Sequence, residues 1–287
     1  MAILINENTR VIVQGITGRE GAYYTEKMLD HHTKIVGGVT PGKGGEWILG
    51  IPIFETVQNA VNATGANTSV IFVPAPSAAD AIYEAIDSGI RLIVCITEGI
   101  PVMDAIRVRE YIRDTPHRLI GPNSPGILVP GRASLGIIPA EITTPGEIGV
   151  VTRSSTLAYN TIYTLTQMDI GQSAIVGIGG DPVIGTNFVD ILSRFEDDPF
   201  TRSVILFGEI GGYGENMAAD FIRSSMTKRV VAYIAGQHAP HDRQLGDKGA
   251  IIDGPGTDVA TKIELLRDAG ARVVTSFEDI PAALAGS

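Results

Sequence analysis

The densest concentration of groups able to do chemistry is one loop, Ala235-Gly-Gln-His-Ala-Pro-His-Asp-Arg-Gln-Leu-Gly-Asp-Lys-Gly-Ala-Ile-Ile252. It gathers His238, His241, two aspartates, an arginine and a lysine behind the apolar run 230–234. That run reads as a buried parallel strand, and open α/β sheets keep their ligands in loops leaving the carboxyl ends of such strands. Gly246 and Gly249 bracket Asp247 and Lys248, and the chain returns to apolar residues at Ala250. A polar tip held between glycines reads as a placed group rather than a solvated connection. Three other clusters stand at expected strand ends. Glu209 is a lone acid within Gly208-Glu-Ile-Gly-Gly212, and a buried carboxylate needs an imidazole or a basic group beside it. Thr152-Arg-Ser-Ser-Thr156 supplies hydroxyls at a helix start, where they cap the helix or bind an oxyanion. Gly15-Ile-Thr-Gly18-Arg-Glu-Gly21 is a tight turn into a helix whose first N–H groups suit phosphate.

Repeated strand-then-helix rhythm must position these clusters. Strands are expected at 10–14, 34–38, 69–73, 91–96 and 118–120, with helical patterns between them, and this argues a parallel, doubly wound sheet. No Asp or Glu occurs from Thr33 to Gly45. The ribose-binding acid of a dinucleotide site is therefore missing, and the reading is a Rossmann-like fold without NAD. Lys43 lies instead in the glycine-rich loop after the second strand, suited to a phosphate group. Three further strand ends carry stiffening prolines: Val73-Pro-Ala-Pro76, Thr97-Glu-Gly-Ile-Pro101 and Gly121-Pro-Asn-Ser-Pro-Gly126. Proline cannot continue a sheet, and three such largely uncharged edges in succession suit an extended ligand with an adenine, a pyrophosphate and a pantetheine arm. A Pro- and Gly-rich stretch at about 126–145 reads as the linker between an N-terminal domain over 1–125 and a second α/β domain over 146–287. Five more strands are expected in the second domain, with a flavodoxin-like pattern.

The composition bounds what such a protein does. A formal net charge of −10 argues against a broad nucleic-acid surface. With 44% hydrophobic and 19% charged residues, the chain has the material for a large core. The single cysteine, Cys95, sits in an apolar run, so no internal disulfide forms and a reducing, cytoplasmic-type compartment is expected. No membrane span is expected, nor a secretory signal, nor a metal ligand set.

Taken in order, these segments resemble the α subunit of succinyl-CoA synthetase, in the nucleoside-diphosphate-forming acyl-CoA ligase family. The pieces that carry the resemblance are Val11-Ile-Val-Gln-Gly15 with Thr17-Gly18, Gly37-Gly-Val-Thr-Pro-Gly-Lys-Gly-Gly45, Val73-Pro-Ala-Pro76, Ile96-Thr-Glu-Gly-Ile-Pro101, Gly121-Pro-Asn123, Gly177-Ile-Gly-Gly-Asp-Pro182 and Gly208-Glu-Ile-Gly-Gly212. The resemblance implies an N-terminal domain that binds coenzyme A through Thr17, Gly18, Arg19, Glu20, Lys43, Val73, Pro74, Ile96, Thr97, Glu98 and Asn123. It implies a C-terminal ligase domain with a phosphate and substrate turn at Ser154, Ser155, Thr156 and Tyr159. It also implies a β-type ATP-grasp partner carrying ATP or GTP and Mg²⁺, and a small carboxylic acid, succinate or a related di- or tricarboxylate, as substrate.

In that family a histidine in a G-H-A-G-A-I motif carries phosphate, oriented by the glutamate of the G-E-I-G-G segment. Here the motif reads Gly246-Asp-Lys-Gly-Ala-Ile251, with Asp247 at the histidine position and Glu209 as the orienting acid. Ser155 replaces a glycine of the family's phosphate turn, and the later glycine-lysine loop reads Asp253-Gly-Pro-Gly-Thr257 without its lysine. Changes fall on the phosphate side and spare the coenzyme A side. Three readings of Asp247 stand: it takes phosphate as an aspartyl phosphate; the partner makes the acyl phosphate directly and Asp247 is a base or charge holder; or the chain is a catalytically inactive CoA-binding or assembly subunit.

Overall fold

The computed structural model describes residues 3–236, 250–252, 254 and 256–285. Among them the chain forms two seven-stranded sheets in succession. The first contains β1 (Val11–Gln14), β2 (Ile35–Val39), β3 (Trp47–Ile48), β4 (Ile51–Phe54), β5 (Thr68–Ile71), β6 (Leu92–Cys95) and β7 (Arg118–Ile120). Helices α1 (Arg19–Asp30), α2 (Val57–Thr64), α3 (Ala75–Asp87) and α4 (Val102–Ile112) connect them. The order is β3-β4-β2-β1-β5-β6-β7, parallel throughout except for the β3–β4 pair. Leaving aside the short antiparallel edge, this is the Rossmann order, and its direction reverses between β1 and β5.

The second sheet contains β8 (Gly126–Val129), β9 (Ala133–Gly136), β10 (Pro145–Thr152), β11 (Gln172–Gly177), β12 (Ser203–Glu209), β13 (Arg229–Ala235) and β14 (Arg272–Val274). Its helices are α5 (Ser155–Gln167), α6 (Phe188–Asp197), α7 (Gly214–Ser225), α8 (Val259–Asp268) and the terminal α9 (Ile280–Ala285). The parallel strands run β14-β13-β12-β10-β11, which is the flavodoxin order read from its far edge. The stretch at 126–145 is not bare connection. It carries the β8–β9 hairpin, which adds antiparallel to β11 through Ile127↔Val176 and Leu128↔Ile175. Its apolar pieces are too short, and its glycines too frequent, for periodicity to reveal strands.

That hairpin also joins the two sheets. Thr33 Oγ1 donates to Ser134 O at 2.7 Å and accepts from Ser134 N–H at 2.9 Å. Residues of both sheets share one hydrophobic cluster: Val11, Val13, Val70 and Val94 from the first pack in the same body as Val151, Val176, Val204 and Leu206 from the second. The intervening residues point the other way, Ile12, Ile71 and Ile93 toward α2, α3 and α4, and Val150, Ile175 and Ile205 toward α5. This period of two with both faces covered explains the unbroken apolar runs.

Glycine shapes the packing where a helix meets the second sheet. A Cβ on Gly149 of β10 would lie 2.6 Å from the ring of Phe195, which α6 inserts with no exposed surface. Phe195→Ala is expected to cost about 3–5 kcal/mol of stability, read as a lower urea midpoint at unchanged slope. A loss under about 1 kcal/mol would contradict the packing described.

Candidate functional site

The first strand ends in a turn that only glycine builds. Gly15 has φ +81°, and a Cβ on Gly21 would lie 2.1 Å from Gly15 O, so α1 begins hard against the turn. Gly18 caps α1 without a side-chain bond. Beside this turn, at the reversal between β1 and β5, lies a cavity of about 820 Å³. Thr17, Gly18, Arg19, Glu20, Thr40, Pro41, Val73 and Pro74 line it. Its floor is fixed by Gln14, whose buried amide donates to Ser69 Oγ at 2.9 Å and Ala81 O at 3.0 Å.

A second cavity of about 650 Å³ shares Glu20, Phe72, Val73 and Pro74 with the first. It adds Ile96, Thr97, Glu98, Asn123, Ser155 and Arg153. Thr97 Oγ1 donates to Val73 O at 2.7 Å, tying two of the proline-stiffened loops together. Asn123, at φ +53°, donates through its amide to Asp181 Oδ1 at 3.1 Å. The two cavities thus form one cleft from the glycine turn to the start of α5 in the second domain. It brings together ten of the residues expected to bind coenzyme A, and Ser155 with them. Lys43 lines neither cavity: it stands half exposed on the rim loop, 3.2 Å from Glu46. Ser154 precedes α5 and Thr156 is exposed on its first turn. The Tyr159 phenol is buried without a hydrogen-bond partner among the described residues, and burial pushes its pKa above the ordinary range.

The described chain leaves β13 at Ala235, in register with Glu209, and Gly211 N–H donates to Thr257 O at 2.9 Å. Asp247, His238, His241 and Lys248 lie outside the described residues. Ile251 lines a third cavity of about 470 Å³ with Arg109, Arg153, Asp181 and Tyr213.

Between the last two cavities lies a buried ionic network that residue types alone did not disclose. Arg153 Nε is 3.3 Å from Glu209 Oε1, and its Nη1 is 3.7 Å from Glu215 Oε1. Arg153 is therefore the basic group that a buried Glu209 requires. Lys262, with no exposed surface, is 2.5 Å from Glu215 Oε2 and donates to Glu209 O at 2.8 Å and Gly211 O at 2.7 Å. Glu215 Oε1 accepts the Glu209 N–H at 3.1 Å, and Arg153 Nη1 donates to Gly211 O at 3.3 Å. Burial lowers the Lys262 pKa, and the charge of Glu215 opposes that shift. Two cations and two anions so fix the turn 209–212 from the end of β10, α7 and α8. Arg153 was legible in the helix-start motif as a neighbour of hydroxyls. Glu215 and Lys262 gave no signal, because each occupies an ordinary helical position far away in sequence. Lys262→Met leaves Glu215 buried without its closest cation and is expected to cost about 3–5 kcal/mol, measured by urea unfolding. An unchanged midpoint would refute the pairing.

Comparison with known proteins agrees with this architecture. Residues 6–99 match the CoA binding domain family and residues 151–272 the CoA-ligase family. The α subunit 2 of ADP-forming succinate–CoA ligase from Archaeoglobus fulgidus is 54% identical over 273 residues, 95% of this chain and 95% of that one. The corresponding α subunit of Staphylococcus aureus is 48% identical over 284 residues, covering 99% of this chain and 94% of its own. Among solved structures, ATP citrate lyase from Methanothrix soehngenii, in complex with citrate and coenzyme A, aligns with a TM-score of 0.88 at 26% identity over 96% of this chain. This chain spans 49% of that protein. A dinucleotide-forming acetyl-coenzyme A synthetase from Ca. Korarchaeum cryptofilum, 21% identical with a TM-score of 0.79, shares the fold. With near full-length identity at this level, the chain belongs to the α-subunit family of the succinate–CoA ligases, acid–thiol ligases with a CoA-binding and a CoA-ligase domain.

Proposed function

We propose that this chain is the α subunit of a nucleoside-diphosphate-forming ligase that joins coenzyme A to a small carboxylic acid, succinate or a related di- or tricarboxylate, with the phosphohistidine step altered or bypassed. The continuous cleft carries this reading. It runs from a glycine turn built for phosphate to the Arg153–Glu209 pair at the strand ends of the second domain. Its two cavities exceed what a small acid fills and suit an extended ligand. No apolar stretch among the described helices is long enough to cross a membrane, and no cluster of metal-binding side chains occurs among the described residues. Nucleotide and Mg²⁺ are assigned to a β-type ATP-grasp partner.

In this reading the first N–H groups of α1, with Thr17 and Arg19, hold the pyrophosphate, and Lys43 meets a further phosphate at the rim. The loops at Val73–Pro74, Ile96–Glu98 and Asn123 guide the pantetheine arm toward α5. There Ser154, Ser155 and the start of α5 face the acyl phosphate, with Tyr159 on the same helix. The overall reaction forms a thioester: a phosphoryl group activates the acid, the thiol sulfur attacks the acyl carbon, and inorganic phosphate leaves. An imidazole nitrogen that would carry the phosphoryl group is absent from the position of Asp247. Either the Asp247 carboxylate carries it, or the phosphoryl group passes straight to the acid and Asp247 acts as a base or charge holder.

The test is to combine the chain and its β-type partner with labelled ATP or GTP, Mg²⁺, coenzyme A and a panel including succinate, malate and citrate. Acyl-CoA is expected with at least one acid, and Asp247→Ala is expected to abolish it. A hydroxylamine-labile label on the chain identifies an aspartyl phosphate; no label with retained turnover identifies direct transfer. If no acid yields acyl-CoA, the chain is a CoA-binding or assembly subunit, a reading that the loss of the histidine favours. Lys43→Ala is expected to weaken coenzyme A binding about tenfold, as loss of one charged hydrogen bond does. Unchanged affinity in calorimetry would remove Lys43 from the site.

A further inference from the structure

The glycine-rich loop after β2 offers backbone N–H groups of the kind that cradle a phosphate, yet a side chain of this chain already occupies them. Gly42 N–H donates to Glu55 Oε2 at 2.7 Å, and Gly44 N–H donates to Glu55 Oε1 at 2.8 Å. Backbone bonds tie the two ends of the loop to β4: Thr40 N–H donates to Phe54 O at 3.1 Å and Gly45 N–H to Ile53 O at 3.0 Å. The tip between them is held by two turn bonds, Lys43 N–H to Thr40 O and Glu46 N–H to Lys43 O, both at 3.1 Å, and by Glu55. The fit is close, since a Cβ on Gly44 would come within 2.7 Å of Glu55 Cγ and Oε1. The Gly42 and Gly44 bonds hold the Glu55 carboxyl below the usual glutamate range, so it is ionised at neutral pH. Lys43 turns its ammonium to Glu46, so Glu55 acts on the backbone of the loop and not as the partner of that cation.

We propose that Glu55 is a positioning residue for coenzyme A: its carboxylate fills the amide pair of the glycine-rich loop and thereby sets Lys43 at the rim of the glycine-turn cavity. This inference rests on the assignment of coenzyme A to that cavity. Recognition of phosphate at the rim then belongs to the Lys43 ammonium and not to the loop amides. The same loop contributes Thr40 and Pro41 to the cavity wall, and Thr17 Oγ1 donates to Thr40 Oγ1 at 3.2 Å across to the first turn. A displaced tip therefore moves the cation relative to a wall that stays in place.

The sign of the effect separates this role from simple electrostatics. Removing a carboxylate near a polyanionic ligand reduces repulsion and by itself tightens binding. Loss of positioning weakens it. Calorimetric titration of the full chain with coenzyme A, alongside thermal melts, is the experiment. Glu55→Ala is expected to raise the dissociation constant about tenfold at a nearly unchanged melting temperature, the size of losing one well-placed charged contact. Glu55→Gln, which keeps one acceptor oxygen, is expected to lie between, and Gly44→Ala to follow Glu55→Ala because its methyl group displaces the carboxylate. In a Lys43→Ala background, Glu55→Ala is expected to add nothing, since it acts through Lys43. Unchanged or tighter binding in Glu55→Ala, or a full additional loss in the Lys43→Ala background, overturns the proposal. If the unaltered chain binds no coenzyme A, the assignment of the cavity fails first and the role of Glu55 falls with it.

Discussion

Glu209 and Glu215 are ionisable acids placed where little water reaches, and the carboxyl end of the second sheet is arranged around compensating them. Stripping a carboxylate of water costs several kcal/mol even after relaxation, and Coulomb attraction offsets it only with close partners and satisfied lone pairs. Here the partners come from three directions. Arg153 arrives at the end of β10, Glu215 from α7 and Lys262 from α8, and all converge on the turn after β12. Such a network is poor currency for stability, since an apolar replacement of equal volume often matches it. What it supplies is geometry: the carbonyls of Glu209 and Gly211 each accept from the same ammonium, so the turn cannot rotate without exposing an uncompensated charge. Helices α7 and α8 are thereby locked to the strand ends that face the cleft.

The parts of the architecture written as local pattern could be read from the chain. Alternating apolar runs and helical stretches gave both parallel cores, because burial on both faces leaves an unbroken signature. The strand-end loops at Val73, Ile96 and Asn123 do meet in one cleft. What stayed hidden depends on distant partners. The β8–β9 hairpin exists because β11 offers it an edge, and α1 and the turn after it offer Met28 and Thr33 as anchors; its own residues are compatible with a linker. Lys262 reads as one more polar helical residue until α8 turns it inward. The loop around Lys43 holds a partner that local pattern does not show. The type of Lys43 and its glycine surroundings suggest a phosphate ligand, and the loop amides hold Glu55, which lies more than ten residues on and is brought there only by the fold.

The resemblance also exposes a mismatch in charge. The network of Arg153, Lys262, Glu209 and Glu215 sums to zero. In the family pattern a histidine approaches the orienting glutamate, and an imidazole can share a proton with it. An aspartate in that place brings a second carboxylate to an anion, and like charges at close range raise one another's pKa. Under the proposed function, where the resemblance brings Asp247 toward Glu209, a working Asp247 is protonated, paired with a further cation such as Lys248, or loaded with a group that alters its charge. Each option makes the phosphate side of the site depend on proton or cation supply in a way that an imidazole does not.

The coenzyme side carries no such dependence, and the reason is structural. The cleft proposed for it is built by strand-end loops of the first sheet, stiffened by proline, and by a tight glycine turn at Gly15, Gly18 and Gly21. It touches the ionic network only through Arg153, whose guanidinium borders the cleft on one face and the third cavity on the other. Among the described residues Arg153 joins the two: it pairs with Glu209 and also lines the cleft that ends at Ser155.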